Sequence, residues 1–187
     1  MEPTATVIVI HGYQGKADDF WKPWLRKELD IRGIATKFPQ MPTPNIPKEE
    51  EWLDVLDQLV TTAAKPIVLV GHSLGGLTVL RWLETRAKEP IHGAVLVAGV
   101  TDPTNYDFKD NFQKPSDWTR ISTSTKHLVG IYSKDDTAVP FEQSQVLKEH
   151  GATLLDVDGY GHFSSKKNVT KIPELLQVID TLIHLAK

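Results

Sequence analysis

Short runs of consecutive apolar residues recur along the chain, separated by stretches where apolar residues fall three or four positions apart. Thr6 to Ile10, Ile67 to Val70, Ala94 to Val100 and His127 to Tyr132 are near-continuous apolar runs. Such runs predict strands buried on both faces, as in a parallel sheet. Ile34 to Phe38 and Thr153 to Val157 are weaker runs of the same kind and bring the expected total to about six strands. Trp52, Val55, Leu56, Leu59 and Val60 follow the stripe that one helix face buries, and Leu175, Val178, Ile179 and Leu182 repeat it. Pro173 stands where a first helical turn tolerates proline. Further helices are predicted from about Asp19 to Arg32 and from Ser73 and Phe141 onward. Two stretches read as irregular: Pro39 to Pro47, rich in proline, and Thr101 to Trp118, polar with scattered aromatics.

Strand and helix alternate over the whole length. The economical architecture is a single α/β domain over residues 1–187, a three-layer α/β/α sandwich around a mostly parallel, doubly wound sheet. Composition agrees: 187 residues, 40% hydrophobic and 24% charged, are enough for one core without staples. The net charge of −3 supplies no positive field to hold nucleic acid or an anionic membrane, so neither is expected as a partner. Cysteine is absent, which excludes disulfides, thiolate metal sites and a cysteine nucleophile. Met1-Glu2-Pro3-Thr4 has no basic region, Val7 to Ile10 is too short for a signal peptide, and no run approaches a membrane span. A cytoplasmic, unexported protein is expected. With no H-E-x-x-H pair and no clustered histidines, no metal or organic cofactor is expected either.

In open parallel sheets ligands bind beyond the carboxyl ends of the strands, so the loops after each apolar run carry the candidate chemistry. Ile67-Val68-Leu69-Val70 leads into Gly71-His72-Ser73-Leu74-Gly75-Gly76, a G-x-S-x-G at a strand-to-helix turn. Small residues are required there because the serine sits in a tight, strained turn that projects its hydroxyl outward. The next N–H, that of Leu74, falls at a helix N-terminus and suits an oxyanion. In a chain of this composition the pattern is expected by accident only about 0.03 times. Phosphate-binding glycine patterns are missing. Ser73 is therefore the candidate nucleophile.

A serine hydroxyl needs a base, and the base a third group. Of seven histidines, only His162 follows a strand late in the chain, in Asp158-Gly159-Tyr160-Gly161-His162-Phe163. The acid falls in Ser133-Lys134-Asp135-Asp136, where one aspartate is expected to face the site and the other to cap the following turn. The order Ser, Asp, His is that of the α/β-hydrolase arrangement. His11-Gly12-Tyr13 ends the first strand, and the Tyr13 N–H is the expected second oxyanion donor. His11, Gly12, Tyr13, His72 and Phe163 are expected to border the substrate.

These four segments resemble the α/β-hydrolase superfamily, and the short length is similar to the small serine hydrolases of the retinoblastoma-binding protein 9 and YdeN-like family. Trp21-Lys22-Pro23-Trp24-Leu25 and Met41-Pro42-Thr43-Pro44 are secondary cues. The resemblance implies a minimal fold without a cap domain, with Ser73 as nucleophile, His162 as base and Asp136 as acid, since Asp136-Thr137-Ala138-Val139-Pro140 resembles the D-x-x-V-P segment of that superfamily. Asp135 stays as the alternative acid. The expected activity is that of a carboxylesterase acting on small esters through an acyl-enzyme. Amide or thioester cleavage, acyl transfer, or a binding module with little turnover are the alternatives. Tyr106, Phe108, Phe112 and Trp118 form either a wall over Ser73 or pins holding their loop to the core.

Overall fold

The computed structural model describes residues 5–104, 106, 112, 114 and 116–186. Its six strands are β1 (Thr6–Ile10), β2 (Ala35–Lys37), β3 (Ile67–His72), β4 (Gly93–Val97), β5 (Leu128–Ser133) and β6 (Thr153–Val157). They form one sheet in the order β2-β1-β3-β4-β5-β6, with every neighbouring pair parallel. Parallel neighbours need long crossovers, and the five here carry the helices α1 (Lys22–Ile31), α2 (Glu49–Thr61), α3 (Leu74–Thr85), α4 (Trp118–Ser124) and α5 (Gln143–Glu149), while α6 (Pro173–His184) follows β6.

Because strand side chains alternate in direction, each strand supplies two cores. Val7, Val9, Val68, Val70, Val95 and Val97 face Leu25 and Leu29 of α1 and Leu175 and Ile179 of α6. Ile8, Ile10, Leu69 and Leu96 face Trp52 and Leu56 of α2 and Leu77 and Leu80 of α3, with Ile121 and Leu147 closing the layer. The result is a three-layer α/β/α sandwich. The two edge strands are only partly buried, which is why their apolar runs are weaker.

Several boundaries shift for local reasons. Ala98 takes a positive φ of 45°, so β4 stops at Val97 rather than continuing to Val100. β3 runs on to His72, which pairs with Val97. Phe20, at φ 59°, delays α1 to Lys22. Helix α4 lies beyond the expected elements: its seven residues are too few to show a stripe, and its start rests on Asp117 accepting from the Arg120 N–H. Among the described residues no helix is long and apolar enough to cross a membrane.

From β1 the chain crosses to β2 on one side and returns to β3 on the other, so a topological switch point lies between β1 and β3. Ile10 pairs with Gly71, which sets the segments beginning at His11 and His72 side by side at the carboxyl edge. Gly75 fits under this edge by lacking a side chain: a Cβ there would sit 2.3 Å from the Ile10 carbonyl oxygen. Backbone cannot yield that much. The Gly75→Ala variant is expected to lose about 3 kcal/mol or more of stability, or not to fold, as read by urea or thermal unfolding.

Candidate active site

Ser73 occupies the turn between β3 and α3 at φ 56° and ψ −121°, a conformation that costs a non-glycine residue about 1–3 kcal/mol. Its backbone is held by three bonds. The Ser73 N–H donates to Val97 O (3.1 Å), and its carbonyl accepts from Gly76 N (2.9 Å) and Val100 N (3.1 Å). The hydroxyl is half-buried and has no hydrogen-bond partner among the described residues. Gly12 abuts it so closely that a Cβ on residue 12 would lie 2.8 Å from Ser73 Cβ and 3.3 Å from Oγ. The N–H groups of Tyr13 and Leu74 have no protein acceptor among the described residues. Leu74 opens α3, so its N–H is one of the orphan donors at the positive end of the helix. The Tyr13 side chain is 47% exposed at this edge.

The histidine and the second aspartate meet. Nδ1 of His162 lies 2.8 Å from Oδ2 of Asp136, whose side chain is only 1% exposed. The other oxygen, Oδ1, accepts from Ala138 N (2.8 Å) and Val139 N (3.0 Å). The expected division of labour, one aspartate to the site and its neighbour to the following turn, is therefore corrected: Asp136 does both. Asp135 turns instead to the loop before His162. Its Oδ1 accepts from the Ser133 hydroxyl (2.5 Å), Gly161 N (2.9 Å) and Gly159 N (3.2 Å), and Oδ2 pairs with Lys167 at 3.0 Å. The Ser133 hydroxyl, then Lys167 and the Gly161 N–H, hold the Asp135 carboxyl well below the usual carboxylate range.

Three residues expected to border the substrate have buried side chains: His11, His72 and Phe163. His11 accepts from Met41 N at Nε2 (2.9 Å), which leaves Nδ1–H to donate to Gly12 O (2.8 Å). Burial lowers its pKa, in keeping with that neutral ring. His72 makes a 3.0 Å bond from Nε2 to the His162 carbonyl oxygen, and its ring lies 5.0 Å from that of His162 and edge-on to Trp21. Burial first, and then the neighbouring His162 and Lys22, hold His72 well below its ordinary pKa. A neutral His72 must donate to that carbonyl. Phe163 stacks on Tyr160 inside the core.

Lys22, part of the Trp21–Leu25 cue, carries no sequence signal of burial, since it opens the first turn of α1. It is 1% exposed, lies near the Phe20 and Trp21 rings, and among the described residues donates only to Asp19 O at 3.3 Å. Burial lowers its pKa from 10.5 to about 8. The aromatics of the 101–118 stretch act as pins where they are described. Phe112 is buried edge-on to Trp52, Trp118 stacks on His150, and the Tyr106 hydroxyl donates to Ala138 O beside the Asp136 turn. Phe108 lies outside the described residues. Among the described residues no group of three His, Cys, Asp or Glu side chains is placed to hold a metal.

Residues 7–181 match the serine hydrolase family, and the chain belongs to it. It is 36% identical to YdeN of Bacillus subtilis (strain 168) over 180 residues, covering 94% of this chain and 95% of that one. The crystal structure of the ydeN gene product matches with a TM-score of 0.89 at 33% identity, over 96% of this chain and 99% of that one. Est1E from Butyrivibrio proteoclasticus matches at a TM-score of 0.73 and 19% identity, over 100% of this chain and 88% of Est1E, a likeness of fold. The chain is thus a YdeN-like α/β-hydrolase.

Two pH dependences follow from the site's charges. Lys22 binds its proton less tightly folded than unfolded, so between about pH 8 and 10.4 the unfolded state holds more protons and stability rises with pH. Replacing it, as in Lys22→Met, is expected to raise stability at pH 7 by up to about 3 kcal/mol and to flatten that alkaline rise in urea titrations. Asp135 behaves oppositely. Its depressed pKa stabilises the fold above the unfolded value of about 4, and that contribution is lost as pH falls. Acid unfolding of Asp135→Asn is expected to show a shallower pH dependence than wild type.

Proposed function

We propose that this serine hydrolase cleaves small carboxylic esters by two-step acyl transfer through Ser73. The observation that carries the reading is the 2.8 Å pair of His162 and a buried Asp136 at the same sheet edge as a serine in a strained strand-to-helix turn.

In the proposed reaction His162 Nε2 removes the Ser73 proton as Oγ attacks the ester carbonyl carbon. Asp136 Oδ2 keeps the other ring nitrogen protonated, aims Nε2 at Ser73, and stabilises the imidazolium that forms. The negative oxygen is received by the Leu74 and Tyr13 N–H groups, each worth roughly 3 kcal/mol in such a position. The imidazolium then protonates the leaving alkoxide, the C–O bond breaks, and the alcohol departs from an acyl-Ser73. Water, losing its proton to His162, attacks the acyl carbon. Collapse of the second tetrahedral intermediate returns the proton to Ser73 Oγ and releases the acid. A free hydroxyl in the absence of substrate fits this scheme, because such hydrogen bonds often tighten only in the Michaelis complex.

Preference for small esters is supported by the open surroundings of the site. Among the described residues no inserted domain covers the edge, and Tyr13, which follows Gly12 there, has an exposed side chain. A fluorophosphonate probe is expected to label wild type and not Ser73→Ala. Against aryl acetates and butyrates, Ser73→Ala and His162→Ala should lose on the order of 10⁴ or more in kcat. Asp136→Asn should lose on the order of 10⁴, because its amide can donate to Nδ1 and stabilise the wrong tautomer. A folded wild type that neither labels nor turns over an ester, amide or thioester would refute the enzyme. A strong preference for long acyl chains would refute the small-ester reading.

A further inference from the structure

The segment that carries His162 is fastened far more closely than an ordinary surface turn. Gly159 N and Gly161 N both donate to Asp135 Oδ1, and Tyr160 N donates to the Ser133 hydroxyl at 3.2 Å. The same hydroxyl donates to Asp135, so one small network gathers three successive N–H groups. Phe163 N closes the turn on Tyr160 O at 3.0 Å, and the Phe163 ring is sunk in the core. From the opposite side, His72 Nε2 holds the His162 carbonyl oxygen.

The two holding residues are sequence neighbours of the reacting ones. Asp135 precedes Asp136 on the turn after β5, and His72 precedes Ser73 at the end of β3. Consecutive side chains diverge, so neither holder points where its neighbour points. One reaches the backbone before the imidazole and the other the backbone at it. We infer that Asp135 and His72 are positioning residues for His162, registering its imidazole to the Asp136 turn and to the Ser73 turn without touching the reacting atoms. This rests on the proposed role of His162 as base. An error of about 1 Å in such an arrangement can cost about 100-fold in rate.

The test uses the full chain, an aryl butyrate as substrate, and a fluorophosphonate titration so that kcat is counted per reactive Ser73. Loss of folded protein then lowers the titrated fraction and leaves kcat per site unchanged. Asp135→Ala and His72→Phe are expected to lower kcat per site about 10- to 100-fold, with KM within about threefold of wild type. Asp135→Asn keeps an oxygen for the Gly159 and Gly161 N–H groups, and His72→Gln keeps an N–H near the place of Nε2. Both are expected to recover kcat to within about fivefold of wild type. Ser133→Ala is a smaller buried change that removes the Tyr160 N–H acceptor. It is expected to cost about 3- to 10-fold in kcat and carries the test if Asp135→Ala does not fold.

An active wild type with kcat per site unchanged in Asp135→Ala, His72→Phe and Ser133→Ala would overturn the inference and leave the hydrolase reading intact. Variants that lose only titratable sites would show a structural role and overturn it equally. A wild type inert to probe and ester would overturn the proposed function, and the inference with it.

Discussion

The whole site depends on a place where three backbones come nearly into contact. The ends of β1 and β3 lie side by side, and the first turn of α3 is pressed against the Ile10 carbonyl with no room for a Cβ at Gly75. In that space Ser73 can only adopt a left-handed backbone, and the bonds to Val97, Gly76 and Val100 hold it there. Strain of this kind persists where the surroundings over-determine it. Here the surroundings are the central strands of the sheet, buried along their length. The side chain is thereby turned toward Gly12, and the N–H groups of Tyr13 and Leu74 are left without protein partners.

Around this point the molecule uses buried polar groups as spacers. His11 links the end of β1 to Met41, and so to the proline-rich segment. His72 links the serine turn to the histidine segment. Lys22, behind them, contributes charge with little hydrogen bonding in return. Neutral imidazoles suit this work because each ring offers one donor and one acceptor at fixed separation. A lysine in the same layer disfavours protonation of both rings, and so helps keep their donors and acceptors fixed.

Much of this was legible in the amino-acid pattern, for identifiable reasons. The central strands β1, β3 and β4 are buried on both faces, so their apolar runs stand out from the chain. Short α4 has too few turns for a periodic signal, and β2 and β6 are diluted by half-exposed positions. Ser73, His162 and the Asp135-Asp136 pair were readable because each follows an apolar run and the chemistry restricts the residue type. The roles of the two aspartates were not readable. Asp135 bonds to residues 24 and 26 positions away, and no local rule distinguishes a cap on a neighbouring turn from one on a distant loop. His11, His72 and Phe163 sit beside the candidate site groups in sequence and yet face inward, because alternation along the chain points adjacent side chains in different directions.

The grip of Asp135 on the segment before His162 is made entirely to peptide N–H groups. Both donors belong to glycines with positive φ, Gly159 at 82° and Gly161 at 51°, so the hold needs the carboxylate and two residues without side chains, and nothing from the open edge. Residues on the rest of this edge can therefore drift over generations, while the spacing of imidazole and carboxylate is inherited unchanged. Selectivity and alignment reside in separate atoms, and a lineage can remodel the first without reinventing the second.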